Sequence, residues 1–323
     1  MVYSLHHMPL FLRVAVLVLV CFTFCLNPGV AQETASADTV EVWDFGGAGT
    51  VNFSQVGLTN WASGGQNALS VLGIANLYAN YTHGRNSWDN TLDVTYGTVK
   101  LENQPVRKSD DKLELNVKYG YKASQRWFYS AQFNIKTQLT PTYTETRDTL
   151  ISSFLSPAFV LLSLGMDYKP SPILSVFISP LTGKLTIVES QMLADRGAFG
   201  VTGAVRDVSG NLIPGTGKHL RQEFGGYVNI RYKQEILQNV MLQSKLDLFT
   251  NYLNDPQNVD VNWENSLNFK VNSFISANLF VHLIYDDDVK IDVDRNDDGI
   301  IDGTGSRLQM KEVLGIGLSY KFD

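Results

Sequence analysis

The sharpest chemical spacing in this sequence is Asp294-x-Asn296-x-Asp298-Gly299-Ile300-x-Asp302. Oxygen-bearing side chains at alternate positions, a glycine for a sharp turn, a carbonyl at Ile300 and a further carboxylate at Asp302 match the first half of an EF-hand-type calcium loop. The twelfth position of such a loop carries a bidentate glutamate. Here it is Gly305, and Asp286, Asp287, Asp288 or Asp292 would have to supply the missing carboxylate. The spacing predicts a structural Ca2+ site in a surface loop. The alternative is a solvated acidic loop that binds nothing.

A second set of polar residues is scattered but shares one property: each stands between apolar neighbours in an alternating run. It comprises Asp89, Asp93, Glu114, Lys118, Lys136, Arg231, Lys245, Asp247, Glu264, Lys270 and His282, with Lys122, Gln132, Glu223 and Lys321. Both signs are mixed. On one face of a closed sheet such a set lines a water-filled path or polar ligand site, or pairs across strands and plugs a narrow barrel. No ring of one sign occurs, so strong ion selectivity is not expected.

Catalysis has little to stand on. Outside the leader segment the histidines are His83, His219 and His282. None has a serine two residues on, the spacing used by the membrane-barrel phospholipases, which this chain resembles in strand number. Carboxylate pairs such as Asp89 and Asp93 are too ordinary to mark acid–base work. There is no phosphate loop and no histidine cluster for zinc, so no catalytic residue is assigned; a membrane-embedded hydrolase is the minor alternative. The segment Asn60-Trp61-Ala62-Ser63-Gly64-Gly65-Gln66-Asn67 would serve as a constriction or sugar-stacking platform, or, the favoured expectation, as a hairpin capping the barrel.

The elements that must position these residues are strands. Leu113, Leu115, Val117, Tyr119 and Tyr121 alternate with Glu114, Asn116, Lys118, Gly120 and Lys122. Trp263, Leu267 and Phe269 alternate with Glu264, Asn268 and Lys270, and the close of the chain does the same from Leu314 to Phe322. That is a period of two. It predicts twelve strands near 50–58, 69–82, 87–101, 112–123, 126–139, 157–169, 174–188, 220–233, 240–252, 260–271, 274–286 and 311–322. Most are longer than the five or six residues usual in soluble sheets, and long enough to cross a membrane when tilted. The connections alternate, tight then long. Tight ones fall at 83–86, 123–125, 169–172, 234–239 and 272–273. Long ones fall at 59–68, 102–111, 140–156, 189–219, 253–259 and 287–310. That is the asymmetry of an outer-membrane barrel, with short periplasmic turns and long extracellular loops.

Aromatic residues support the same topology. Tyr81, Trp88, Tyr121, Trp127, Tyr168, Tyr232, Tyr320 and Phe322 share the outward parity and the depth of the tight-turn rim. Tyr252, Trp263 and Tyr285 fall at the other rim. Two girdles of amphipathic rings are expected where a barrel meets lipid headgroups. A secreted β-sandwich or lipocalin-like barrel is the alternative, but it does not require aromatics to segregate to strand ends.

The first residues must be set aside. Arg13 precedes an apolar run from Val14 to Leu26, and Gly29-Val30-Ala31 offers small residues for a signal peptidase. The run is short for a spanning helix. The expected organisation is a signal peptide at 1–31, a flexible mature terminus at 32–48 and an all-β barrel at 49–323. Both cysteines, Cys21 and Cys25, lie in the leader, so disulfides and cysteine-bound zinc are excluded from the mature chain. The net charge of −6 argues against nucleic acid as a partner. The expected partners are outer-membrane lipid and the barrel-insertion machinery of a Gram-negative cell. The expected role is a passive pore for small polar solutes. The alternative is a plugged barrel whose long loops bind a partner or ligand outside the cell.

The sequence also resembles a known family. SQVGLTNWASGGQNALS at 54–70 is similar to the opening signature of the domain of unknown function 3078 family, exported outer-membrane proteins of Bacteroidota. WDNTLDVTYG at 88–97, KSDDKLEL at 108–115, ISSFLSPAF at 151–159, LIYDDD at 283–288 and LGIGLSYKF at 314–322 extend the resemblance. It implies an outer-membrane barrel and supplies no catalytic residues. Many such barrels end on an aromatic residue, whereas here Asp323 follows Phe322.

Overall fold

The computed structural model describes residues 42–58, 66–144, 148–293 and 303–322. Twelve long strands close into one antiparallel barrel: β1 (Trp43–Val56), β2 (Ala68–His83), β3 (Asn86–Leu101), β4 (Arg107–Lys122), β5 (Trp127–Thr137), β8 (Ala158–Ser171), β9 (Leu174–Ile187), β10 (Leu220–Leu237), β11 (Val240–Asn251), β12 (Asp260–Lys270), β13 (Ile275–Tyr285) and β16 (Gln309–Phe322). Short strands form two hairpins in the loops, β6 (Thr142–Tyr143) with β7 (Leu150–Ser152), and β14 (Ile291–Val293) with β15 (Gly303–Gly305). Barrel strands pair in chain order, and β16 returns to β1. Closure removes the free edges that an open sheet would expose.

The alternation read from the sequence is the alternation of the wall. On β4, Leu115, Val117 and Tyr119 point outward, while Glu114, Asn116 and Lys118 point inward and are buried. The outer face is apolar and bare: Leu164 is 54% exposed, Ile316 65% and Leu314 70%. Contiguous apolar exposure of this kind is sustained by lipid, not by water. Aromatic rings gather at the tight-turn rim, where Trp127 meets Tyr168 at 4.7 Å between centroids and Trp43 meets Tyr81 at 5.1 Å. One polar pair interrupts the outer belt. Ser244 donates to Asn265 at 2.8 Å and accepts from the Trp263 indole at 2.9 Å, which helps to satisfy these groups where water is scarce.

Three boundaries differ from expectation; one is the end of β10, which runs to Leu237 rather than 233, so the tight connection expected at 234–239 shrinks to Gln238 and Asn239. β1 begins at Trp43, inside the stretch 32–48 assigned to a flexible terminus. Gly46-Gly47-Ala48-Gly49 erases the apolar alternation there, yet the backbone pairs with β2 throughout. Glycine at 46 is required by packing, because a Cβ would overlap the Tyr78 hydroxyl. β4 begins at Arg107, not 112, because Ser109 bulges out of register between Lys108 and Asp110 and breaks the period. A second bulge, at Ser179–Pro180 on β9, places proline where the ladder is already interrupted.

Candidate functional site

The inward faces carry most of the predicted polar set into one lumen. β4 and β12 stand opposite each other, with five strands between them by either route round the barrel. Their side chains nevertheless touch. Lys112 of β4 reaches Glu264 of β12 at 3.2 Å, and Lys245 of β11 donates to Glu114 of β4 at 2.6 Å. Lys136 of β5 lies 3.5 Å from Glu264, and Lys112 lies 3.5 Å from Glu114. Lys112, Glu114, Lys245 and Glu264 sit midway along their strands, so cations and carboxylates alternate across the middle of the lumen. His282 is bonded to Asn262 at 2.6 Å and lies 3.9 Å from Glu264. Asp247 accepts from Tyr227 at 2.5 Å, Asn229 at 2.6 Å and Asn262 at 3.0 Å.

Two further layers flank this crossing. Toward the tight-turn rim, Lys118 pairs with Asp167 at 2.5 Å and Lys169 with Asp89 at 2.8 Å. Toward the long-loop rim, Lys184 pairs with Asp260 at 2.6 Å, Arg221 with Glu223 at 2.7 Å and with Asp288, and Lys311 with Asp110. Each layer contains both signs. Opposite charges attract more strongly where water is partly excluded, and each one offsets the other's desolvation cost.

Of the sequence-predicted lining residues, Asp89, Glu114, Lys118, Lys136, Lys245, Glu264 and His282 join these pairings. Asp93 accepts from Asn76 at 2.6 Å, and Arg231 stands beside Lys245 in register. Lys270 is exposed at the tight-turn end and is not brought into the network. Asp294, Asn296, Asp298, Ile300 and Asp302 lie outside the described residues, as does most of the 59–68 loop. Lys112, Asp167, Lys169 and Lys184 were missed. The outward parity of Tyr168 already implies that Asp167 and Lys169 point inward. Lys184 escapes because the bulge at Pro180 reverses the parity counted from Leu174.

At the long-loop rim, residues 148–157 pack against the loop 188–219. The helix α1 (Gln191–Asp195) buries Leu193 and Ala194 against Val188 and Val201, and Leu150 of the neighbouring loop joins them. The Ser190 amide donates to Ser156 Oγ at 2.9 Å. Asp195 accepts backbone N–H groups from Gly215 at 2.9 Å and Gly217 at 2.8 Å, which hold its carboxyl below the usual aspartate value. His219 is bonded to the Val188 carbonyl at 2.6 Å and to Gln191 at 2.8 Å. The result is a folded cap with a small core of its own.

A closed antiparallel barrel with an apolar belt, aromatic rims and one set of long loops is an outer-membrane β-barrel. Among solved structures, the chain is similar to an outer-membrane channel from Pseudomonas putida F1, at 12% identity over 89% of this chain and 100% of that one, with a TM-score of 0.39. It is similar to the NanC porin at 10% identity over 84% and 98%, with a TM-score of 0.36. It is also similar to the translocator domain of the autotransporter NalP from Neisseria meningitidis, at 11% identity over 97% and 96%, with a TM-score of 0.34. The closed sheet and its belt, rather than these likenesses, define the architecture. Among curated proteins, none matches the chain. Residues 53–143, from the end of β1 through β6, match the family model described as "Protein of unknown function (DUF3078)", so the family likeness read from the sequence is borne out over that stretch.

Proposed function

We propose that this outer-membrane barrel is held shut at mid-height by its own ion pairs, and that its loop cap makes contacts outside the cell. The observation that supports this is the crossing of Lys112–Glu264 and Lys245–Glu114 between opposed walls. Glu114 is 3% exposed. Stripping such a group of its partner costs about 3–5 kcal/mol, so spontaneous parting of the crossing is rare. His282 is bonded to Asn262, and His219 to the Val188 carbonyl and Gln191, which supports a structural part for both in this reading.

The test is current through a planar bilayer, with folding verified by heat-shifted migration on a gel. The intact mature chain should be silent. A quadruple variant, Lys112→Ala, Glu114→Ala, Lys245→Ala and Glu264→Ala, should open discrete steps. Open-pore steps from the unaltered chain would overturn the closed reading. They would establish the second one, a passive pore for small polar solutes. That reading is favoured by a cavity of about 280 Å3 beside β1, β2 and β16, lined in part by Ser54, Ser70, Ser109 and Gly315.

We further assign Ca2+ to the segment 294–302. Its alternating oxygen ligands support this, as does the β14–β15 pairing, which brings Val293 opposite Gly303 and so closes the ends of the loop. Calorimetric titration should show binding that Asp294→Ala and Asp298→Ala together abolish. Unchanged binding in the double variant would place the ion elsewhere.

A further inference from the structure

The ladder between β1 and β16 stops short of the long-loop rim. Among the described residues it runs from Gly47↔Phe322 to Phe53↔Ile316. β1 nevertheless continues to Val56 against β2, and β16 starts at Gln309, matched to β13 from its first residue. Carried on in register, Ser54 would face Gly315 and Val56 would face Val313. Instead the two edges part.

This parting runs from the lipid belt at Leu314 up to the long-loop interface. Leu314, Glu312 and Met310 on the free side of β16 all point outward; Leu314 is level with Leu279 of β13, and Met310 with Leu283, which pairs with the rim residue Trp263. Unpaired backbone is tolerated at that depth only where protein or a wet cavity satisfies it. Behind the gap lies the cavity of about 280 Å3. Its inner lining includes Ser54, Ser70 and the Asp110–Lys311 pair, all on the lumenal side. Its outer lining includes Phe53 and Leu314, which face lipid, and Glu312, which points the same way nearer the rim. Residues of both faces thus bound one cavity at the parted seam.

We propose that the β1–β16 gap is a lateral portal from the bilayer, and that the cavity behind it takes a single-chain amphiphile. The polar head, zwitterionic, sits among Ser54, Ser70 and the self-neutralised Asp110–Lys311 pair, with its cationic end toward Glu312. The chain lies between Phe53 and Leu314. A free polar solute would leave Phe53 and Leu314 without an apolar partner, and a purely apolar molecule would leave the hydroxyl and charged lining unmatched. The volume suits a head group, below the range of about 300–1,000 Å3 typical of pockets that enclose a whole small ligand. The proposal goes beyond the closed-lumen reading and does not rest on it, since the portal opens sideways whether or not the mid-lumen crossing conducts.

The mature chain contains no cysteine, so single thiols report access directly. Ser54→Cys and Asn76→Cys, the latter a lumenal position on the fully paired β2, are each refolded into vesicles and checked by heat-shifted migration. Each is treated with N-dodecylmaleimide, which reaches the protein from the bilayer, and with a sulfonated maleimide, which reaches it from water. The expected result is dodecyl labelling at least tenfold faster at Ser54→Cys than at Asn76→Cys, with both reacting with the sulfonated reagent. Added lysophosphatidylcholine should slow the dodecyl reaction at Ser54→Cys. Equal dodecyl rates at the two positions would overturn the portal. A rate at Ser54→Cys that lysophosphatidylcholine leaves unchanged would overturn the amphiphile site. Ser70→Cys replaces Ser54→Cys if the latter does not fold. A conducting lumen, the outcome that defeats the closed reading, would leave both comparisons intact.

Discussion

The wall made by β4, β5, β8, β9 and β10 and the wall made by β1, β2 and β16 use the same outward pattern and opposite inward ones. In the first, many inward side chains are almost wholly buried: Asn229 and Phe177 are at 0% exposure and Asp167 at 1%. In the second, the inward positions of β1 and β16 include Ala48, Gly315 and Ser319, none of them buried, and Asn76 of β2 is exposed to the lumen. Lipid dictates the outer face of every strand alike. The inner face is free of that demand, so it alone decides where the barrel is filled and where it is hollow. The hollow wall is also the one whose ladder parts.

The difference between the walls is largest for lumenal charge. Lys118→Met would leave Asp167 buried without its closest partner, at a cost of about 3–5 kcal/mol. Lys311→Met in the hollow wall removes a side chain that is 40% exposed, and should cost less than about 1 kcal/mol. Denaturant unfolding from lipid vesicles, followed by tryptophan fluorescence, measures both. Equal losses would break the distinction between packed and hollow walls.

A smaller contrast is expected on the lipid face. Leu164→Arg, near the middle of the packed wall, should cost about 2–4 kcal/mol and reduce the folded fraction on insertion. Leu314→Arg has the cavity beside it and the rim above, so the guanidinium can snorkel out of the hydrocarbon, and its cost should be about 0–1 kcal/mol. The folded fraction, read from heat-shifted migration, checks both. If Leu314→Arg inserts as poorly as Leu164→Arg, the seam is sealed at that depth.

The twelve barrel strands, their order and the alternation of rims were legible because lipid imposes a period of two and interfacial rings mark both edges. Tyr81, Trp127 and Tyr168 lie where that logic placed them. Legibility ended where the period broke: at the glycines that open β1, at Ser109 and at Pro180. Lumenal membership followed from parity, but partnership did not. Lys112 meets Glu264 only because of the stagger of strands far apart in sequence, and stagger leaves no mark on either strand alone. The parting of β1 from β16 is invisible for the same reason. The cap was read only as long loops, since a helix of one turn and a cluster of a few apolar side chains give no periodic signal.

The packed wall continues upward into the cap, because both cap loops rise from it, one between β5 and β8 and the other between β9 and β10. A pH experiment tests whether the cap is held by the bonds seen at its turn. The Asp195 carboxylate accepts from the Gly215 and Gly217 amides and sits below the ordinary aspartate value in the folded chain. A depressed carboxylate stabilises the folded form while ionised. That contribution is therefore complete above the unfolded value and disappears as pH falls through the folded one. Asp195→Asn keeps an acceptor but loses the charge. Amide exchange at Gly215 and Gly217 should be slower in the unaltered chain than in Asp195→Asn at neutral pH, and the gap should close as the pH falls below the ordinary aspartate range. The buried Lys118–Asp167 pair below should be indifferent to Asp195→Asn at every pH. If the two chains exchange alike at neutral pH, Asp195 does not hold the cap, and the apolar cluster of Val188, Leu193, Ala194 and Val201 carries it alone.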